Sequence, residues 1–172
     1  MAAMMETSPA PVPTSVRELT LSRTFDAPRD LVFAAFTDPA QLAQWWGPHG
    51  FTNPVCEIDP RVGGVLRIDM RGPAGTIYDV IYKLTGVVRE IVPPERLVFT
   101  VALHEDDGSI RLENETSVTF AEHAGRTTIT LHVSVIKATA AAEANLAGMD
   151  AGWSQSIDRL AYHVAHIATS NI

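Results

Sequence analysis

The sequence predicts an α+β fold, with a curved antiparallel sheet of about seven strands around a long C-terminal helix and two short helices after the first strand. Three observations carry this prediction. Residues 141–168 place Met149, Trp153, Ile157, Leu160, Val164 and Ile167 at steps of three or four, which draws one apolar stripe down a helix. From Phe51 onward the period changes, and runs rich in Val, Ile, Thr and Tyr alternate with Gly and Pro punctuation. Between the first strand and that meander stand two helix-start signals, Asp26-Ala27-Pro28 and Thr37-Asp38-Pro39.

Met1–Ser15 carries Pro9, Pro11 and Pro13 on alternate positions and nothing periodic to bury, so a disordered tail is expected there and one domain over residues 16–172. The first strand spans Val16–Phe25, with Leu19, Leu21 and, after a slip, Phe25 on one side. Asp26 is placed to cap the first helix, whose inner face holds Leu31, Val32, Ala35 and Phe36. The second helix carries Leu42, Trp45 and Trp46 and ends at Gly47-Pro48. Strands are then expected at Val55–Asp59, Val65–Arg71, a long bent one at Thr76–Ile91 with Gly86 as a bulge or close-approach point, and one carrying Leu97, Phe99, Val101 and Leu103. Leu112–Phe120 and Arg126–Ile136 complete the sheet through a hairpin at Glu122-His123-Ala124-Gly125. Such a sheet buries one face under the last helix, and the fit of a helix to a curved sheet leaves interior space.

A formal charge of −7 and a pI near 5.3 argue against nucleic acid, because the thirteen Lys and Arg are spread too thinly to make a basic face. No apolar run reaches the roughly 20 residues of a membrane span, and the N-terminus lacks the basic and apolar regions of a signal peptide, so a cytoplasmic location is expected. Cys56 is the single cysteine and reads as a small buried hydrophobe.

Several local signatures occur in a fixed order: Phe25-Asp26-Ala27-Pro28 with Val32–Pro39, Trp45-Trp46-Gly47-Pro48, Asp59–Gly64, Glu90–Thr100, and Gly148-Met149-Asp150-Ala151-Gly152-Trp153. In these the chain resembles the helix-grip superfamily of START-like and Bet v 1-like proteins, and within it the branch related to the C-terminal domain of the activator of Hsp90 ATPase. The resemblance spans about Arg17 to Ala168. It implies a helix-grip domain with a cavity between sheet and C-terminal helix, and a superfamily of lipid, hormone or polyketide binders, cyclases, toxin-resistance proteins and co-chaperones. An Hsp90-type chaperone as partner is the less favoured implication, because only one domain of the activator is matched and Met1–Ser15 cannot stand in for the other.

A hydrophobic small molecule in that cavity is the expected partner. Tyr78, Val80, Tyr82 and Leu84 share one face of the long strand opposite Ile77, Asp79, Ile81 and Lys83, and either set could point inward; the tyrosine face is favoured, since phenols suit a pocket for a flat, partly oxygenated molecule, though on the outer face they would merely cover the sheet. Trp46, Leu66, Ile68, Met70, Phe99 and Asn114 are further lining candidates from the helix end and the neighbouring strands. The last helix offers Met149, Gly152, Trp153 and Ile157; Gly148 and Gly152 either let a backbone approach closely or leave room for something that is not protein. On the expected Leu112–Phe120 strand, the inward set is either Asn114 and Thr116 or Glu113 and Glu115. An inward carboxylate would have a raised pKa and could act as the base of a cyclase or dehydratase. His163 and His166 lack a carboxylate partner in a metal-binding pattern, and no nucleophile elbow, phosphate loop or dinucleotide motif is present, so neither a catalytic residue, a metal nor a cofactor is expected. A single sheet leaves edges that need cover, so a homodimer through an edge or through the apolar residues around Trp45 is an expectation.

Overall fold

The computed structural model describes residues 18–170. Its elements are β1 (Glu18–Phe25), α1 (Arg29–Thr37), α2 (Pro39–Trp45), β2 (Thr52–Ile58), β3 (Val65–Arg71), β4 (Ile81–Val92), β5 (Arg96–His104), β6 (Ile110–His123), β7 (Arg126–Ala138), α3 (Glu143–Ala147) and α4 (Met149–Ser170), with a 3₁₀ turn at Ala140–Ala142. The seven strands form one antiparallel sheet in the order β1-β7-β6-β5-β4-β3-β2. β1 and β2 are consecutive strands at opposite edges, so the chain must cross the whole sheet between them. α1 and α2 make that crossing, touching β6 and β2 on the way and packing against α4.

The apolar stripe does what its period requires. Met149, Ile157, Leu160 and Val164 are buried and Trp153 and Ile167 half-buried, while Asp150 and Asp158 are exposed. Each fully buried aliphatic side chain of this kind contributes about 1.5–3 kcal/mol. The helical run is broken, however: Gly148 ends α3, its N–H bonding to the Ala144 carbonyl at 3.1 Å, and α4 begins one residue later. Glycine is the weakest helix former short of proline, and the break falls where it stands.

Other expectations are corrected. β1 alternates without a slip, because Arg23 occupies the position between Leu21 and Phe25 and reaches the Asp158 carboxylate on α4 at 2.7 Å. Asp26 does not cap α1; Pro28 holds the cap position, and the Arg29 N–H donates to Glu122 from the far end of β6 at 2.8 Å. Asp38 does cap α2, accepting from the Ala40 N–H at 3.0 Å. The long strand starts at Ile81 rather than Thr76. Residues 72–80 are folded on themselves instead: Asp79 accepts from the Gly75 N–H at 3.1 Å and from Arg71 at 2.8 Å, and the Thr76 hydroxyl bonds the Pro73 carbonyl at 2.8 Å. Such local side-chain bonds compete with a strand ladder and here displace it. They also hold Asp79 below the usual carboxylate range, the Gly75 N–H contributing most.

Gly86 is a close-approach point, since a Cβ there would collide with the Thr100 carbonyl, and the bulge falls later, between Val88 and Glu90. The β6–β7 hairpin turns through Ala124 and Gly125 at φ 53° and 79°, the left-handed pair of a tight two-residue turn. Trp45 is fully buried, its ring N–H bonded to the Ala35 carbonyl at 2.9 Å and its ring edge-on to Phe36, so it offers no surface to a second copy. Burial pushes the Cys56 thiol up to about 11. The expected N-terminal tail, Val16 and the end of the single expected domain at 171–172 lie outside the described residues. Among the described residues no helix is long and apolar enough to cross a membrane.

Candidate functional site

The site is organised by the turn that leaves α2. Gly47 adopts φ +97°, a conformation that favours glycine, and a Cβ there would press on the Met70 sulfur at 2.8 Å. The turn is held from α4 by Arg159, whose guanidinium donates to the carbonyls of Trp46 (3.0 Å), Gly47 (2.8 Å), Pro48 (3.0 Å) and Gln44 (3.1 Å). A cation is well placed there, because the Gln44 carbonyl in the last turn of α2 carries partial negative charge and the three carbonyls of the turn beyond it converge on the same guanidinium. Burial shifts the Arg159 pKa down from its usual value, yet the guanidinium stays charged at any physiological pH. Asn53 braces the same turn from β2, donating to the carbonyls of Ala43 and Trp46 at 3.0 and 2.9 Å.

Two adjoining chambers open between this turn, the sheet and α4. The smaller, about 170 Å³, is lined by Trp46, Gly47, Pro48, Met70, Leu84, Val101, Asn114, Met149, Gly152, Trp153 and Ser156. The larger, about 630 Å³, shares Pro48, Met70, Leu84 and Gly152 and adds Tyr78, Tyr82, Phe51, Leu103, His49 and Gln155 among others. Among the described residues no Lys, Arg, Asp or Glu lines either chamber. Trp46 and Trp153 meet edge to face at 5.4 Å, and Trp46 leans on Phe99 at 6.2 Å, which fixes the aromatic wall. Phe51 stands between Tyr78 and Tyr82 at 6.4 and 6.0 Å. Burial, and then the neighbouring Tyr78, raise the Tyr82 pKa, so this phenol is a neutral hydrogen-bonding group at pH 7.

Of the residues singled out from sequence, Trp46, Met70, Asn114, Met149, Gly152 and Trp153 border the smaller chamber, and Tyr78 and Tyr82 the larger. Leu66, Ile68, Phe99 and Ile157 border neither; they are 0–2% exposed and form the packed core behind the walls. Val80 is also outside both, half exposed in the folded loop that replaces the start of the expected strand. Tyr78 sits in that same loop, so the two tyrosines reach one chamber from a loop and a strand rather than from one strand face. A Cβ on Gly152 would find only Pro48 Cγ, at 3.8 Å, so this glycine leaves room rather than permitting a tight backbone contact.

On β6 Thr116 is fully buried and Asn114 lines the smaller chamber, so Glu113 and Glu115 lie on the other face of the sheet. His163 bonds Gln41 at 3.1 Å outside the chambers. Burial, then the neighbouring His166, lower its pKa. Among the described residues no group of three or more His, Cys, Asp or Glu could hold a metal. Sequence reasoning missed Ser156, Val101 and Arg159. Ser156 follows Gly152 and Trp153 by four and three residues and Val101 follows Phe99 by two, so helix and strand period could have found both. Arg159 reads as solvent-facing by period, and its carbonyl partners are more than a hundred residues away in sequence.

Comparison with known proteins places this geometry in a family. Residues 26–165 match the family model described as activator of Hsp90 ATPase homolog 1-like protein. No curated protein matches the chain. Among solved structures, a protein from Chromobacterium violaceum is 28% identical with a TM-score of 0.72, the match covering 86% of this chain and 97% of that one. The AHSA1 protein from Silicibacter pomeroyi is 28% identical at a TM-score of 0.69, with the same coverages. A protein from Arthrobacter aurescens, 23% identical over 88% of this chain and 87% of its own, shares the fold at a TM-score of 0.74. With the family model covering most of the chain and the sheet, paired helices and terminal helix all in place, the chain belongs to the activator of Hsp90 ATPase homolog 1-like family, a branch of the Bet v 1-like helix-grip superfamily.

Proposed function

We infer that this protein binds a small hydrophobic molecule in the cleft between the sheet and α4 and does not turn it over. One observation carries this: two adjoining chambers, walled by Trp46, Trp153, Met70 and Met149 and lined by no Lys, Arg, Asp or Glu among the described residues, sit where the helix meets the sheet. Apolar walls with a few hydroxyl and amide groups are the usual make-up of a ligand site. The carboxylates nearest in sequence to the cleft residue Asn114, Glu113 and Glu115, lie on the opposite face of β6 and cannot act there as a cyclase-type base. Micromolar affinity, about 8 kcal/mol, is within reach of a drug-sized apolar ligand at ~25 cal/mol per Å² after ordering costs.

A panel of fatty acids, fatty alcohols, flavonoids and polyketide aromatics tests this, read by tryptophan fluorescence and by product analysis. Saturable binding with unchanged ligand is the expected result. A modified product would make the protein an enzyme. No binding across the panel would point instead to a protein-partner role, such as the chaperone that the family description names.

A further inference from the structure

We propose that the smaller chamber selects a neutral ligand carrying one hydrogen-bonding group, a hydroxyl or carbonyl, that meets Asn114 and Ser156, and that it discriminates against carboxylates. This rests on the ligand-binding function inferred above and adds the chemical class of the ligand. Asn114 on β6 and Ser156 on α4 come from opposite walls and are the polar side chains of an otherwise apolar lining. Both have hydrogen-bonding capacity to spare. Among the described residues the Ser156 hydroxyl makes no hydrogen bond, and the Asn114 amide group uses only its oxygen, which accepts from Thr116 at a long 3.4 Å.

A serine inside a helix ordinarily bonds back to a carbonyl of the preceding turn, or faces water. Ser156 does neither in bulk: it is only 5% exposed. Yet the one side-chain polar atom among the described residues that is sealed off and without a partner is the Asn53 oxygen. The Ser156 hydroxyl and the Asn114 NH₂ are therefore open to accessible space, and the space that both residues line is the chamber. A ligand that fills the chamber displaces the solvent these groups face, and leaves them unpaired unless it brings its own donor or acceptor.

The sign of charge follows from the same lining. A carboxylate entering either chamber would lose its hydration without meeting a Lys or Arg among the described residues. The nearby Arg111 is already held by Glu105 through two bonds, at 2.9 and 2.6 Å. Arg159 is committed to four backbone carbonyls.

The test is calorimetric titration of the full chain with two matched series, naphthalene, 2-naphthol and 2-naphthoate, and dodecanol with dodecanoate. In at least one series the neutral alcohol should bind about tenfold more tightly than its carboxylate, and 2-naphthol about tenfold more tightly than naphthalene. Ser156→Ala and, separately, Asn114→Leu should each shrink the preference for 2-naphthol over naphthalene severalfold, a change in ratio that general loosening of the cleft would not give. Equal binding of naphthalene and 2-naphthol, or tighter binding of the carboxylates, overturns this inference while the cleft remains a binding site. Absence of binding by every member of both series overturns the binding function itself.

Discussion

Replacing Trp153 and, separately, Trp45 by alanine separates a wall of a cavity from a piece of core. Trp45 is fully buried, packs edge-on against Phe36 at 4.8 Å and donates its ring N–H to the Ala35 carbonyl. Its removal should cost about 4 kcal/mol, the middle of the range for a core tryptophan. Trp153 is half-buried, with part of its surface on the open chamber and, among the described residues, one aromatic partner, Trp46, at 5.4 Å. Losing the aromatic pair costs about 1 kcal/mol and the remaining burial about 2 kcal/mol, roughly 3 kcal/mol in all. With a urea slope of about 2 kcal/mol per M, the midpoint should fall by about 1.5 M for Trp153→Ala and about 2 M for Trp45→Ala. The two variants lose the same atoms, so their ratio is insensitive to the slope assumed. Equal shifts would mean that Trp153 is packed on all sides, and the cleft reasoning would fail.

Gly152→Leu should weaken ligand binding at least tenfold while moving the urea midpoint little, because the added side chain enters space whose nearest occupant is Pro48 at 3.8 Å; calorimetry and denaturation on one preparation check both halves. Arg159→Met should cost about 2–3 kcal/mol by leaving the Gln44 carbonyl of α2 and the Trp46, Gly47 and Pro48 carbonyls of the turn uncapped, and Arg159→Lys should recover only part of it, since an ammonium can serve the three carbonyls that converge on Nη1 but not the fourth; thermal melts of the pair decide. His163 has its folded pKa depressed, chiefly by burial and then by His166, with Asp38 opposing. Its contribution to stability is therefore present above the ordinary histidine pKa, about 6.5, and lost as pH falls through the lower folded value. His163→Gln should flatten that part of the pH–stability curve, and an unchanged curve would assign the slope to other groups.

The period of apolar residues made the architecture legible. The step from period two to period three or four marks where strands give way to helix, and the Met149–Ile167 stripe identifies the face that the sheet covers. Period does not say which of two buried positions borders a void. Ile157 and Trp153 lie on the same stripe, one sealed and the other on the chamber, because curvature of the sheet and the seat of the α2 turn decide where contact is lost. Local hydrogen bonding was equally hidden. Tyr78 and Val80 fit a strand by alternation, and Asp79 between them folds the segment into a loop. Long-range partners leave no local trace, so neither Glu122 at the start of α1 nor Arg159 at the end of α2 could be assigned from neighbours in sequence.

The cleft between sheet and α4 is tested most directly by the three indole N–H resonances of the protein in a two-dimensional NMR titration with 2-naphthol and dodecanol. Trp46 and Trp153 line the smaller chamber, and Trp45 lies behind them with its N–H bonded to the Ala35 carbonyl. Saturable shifts that are largest for Trp46 and Trp153 and smallest for Trp45 are the predicted result. Binding that leaves the Trp46 and Trp153 signals unmoved, or no binding of either compound, would contradict it.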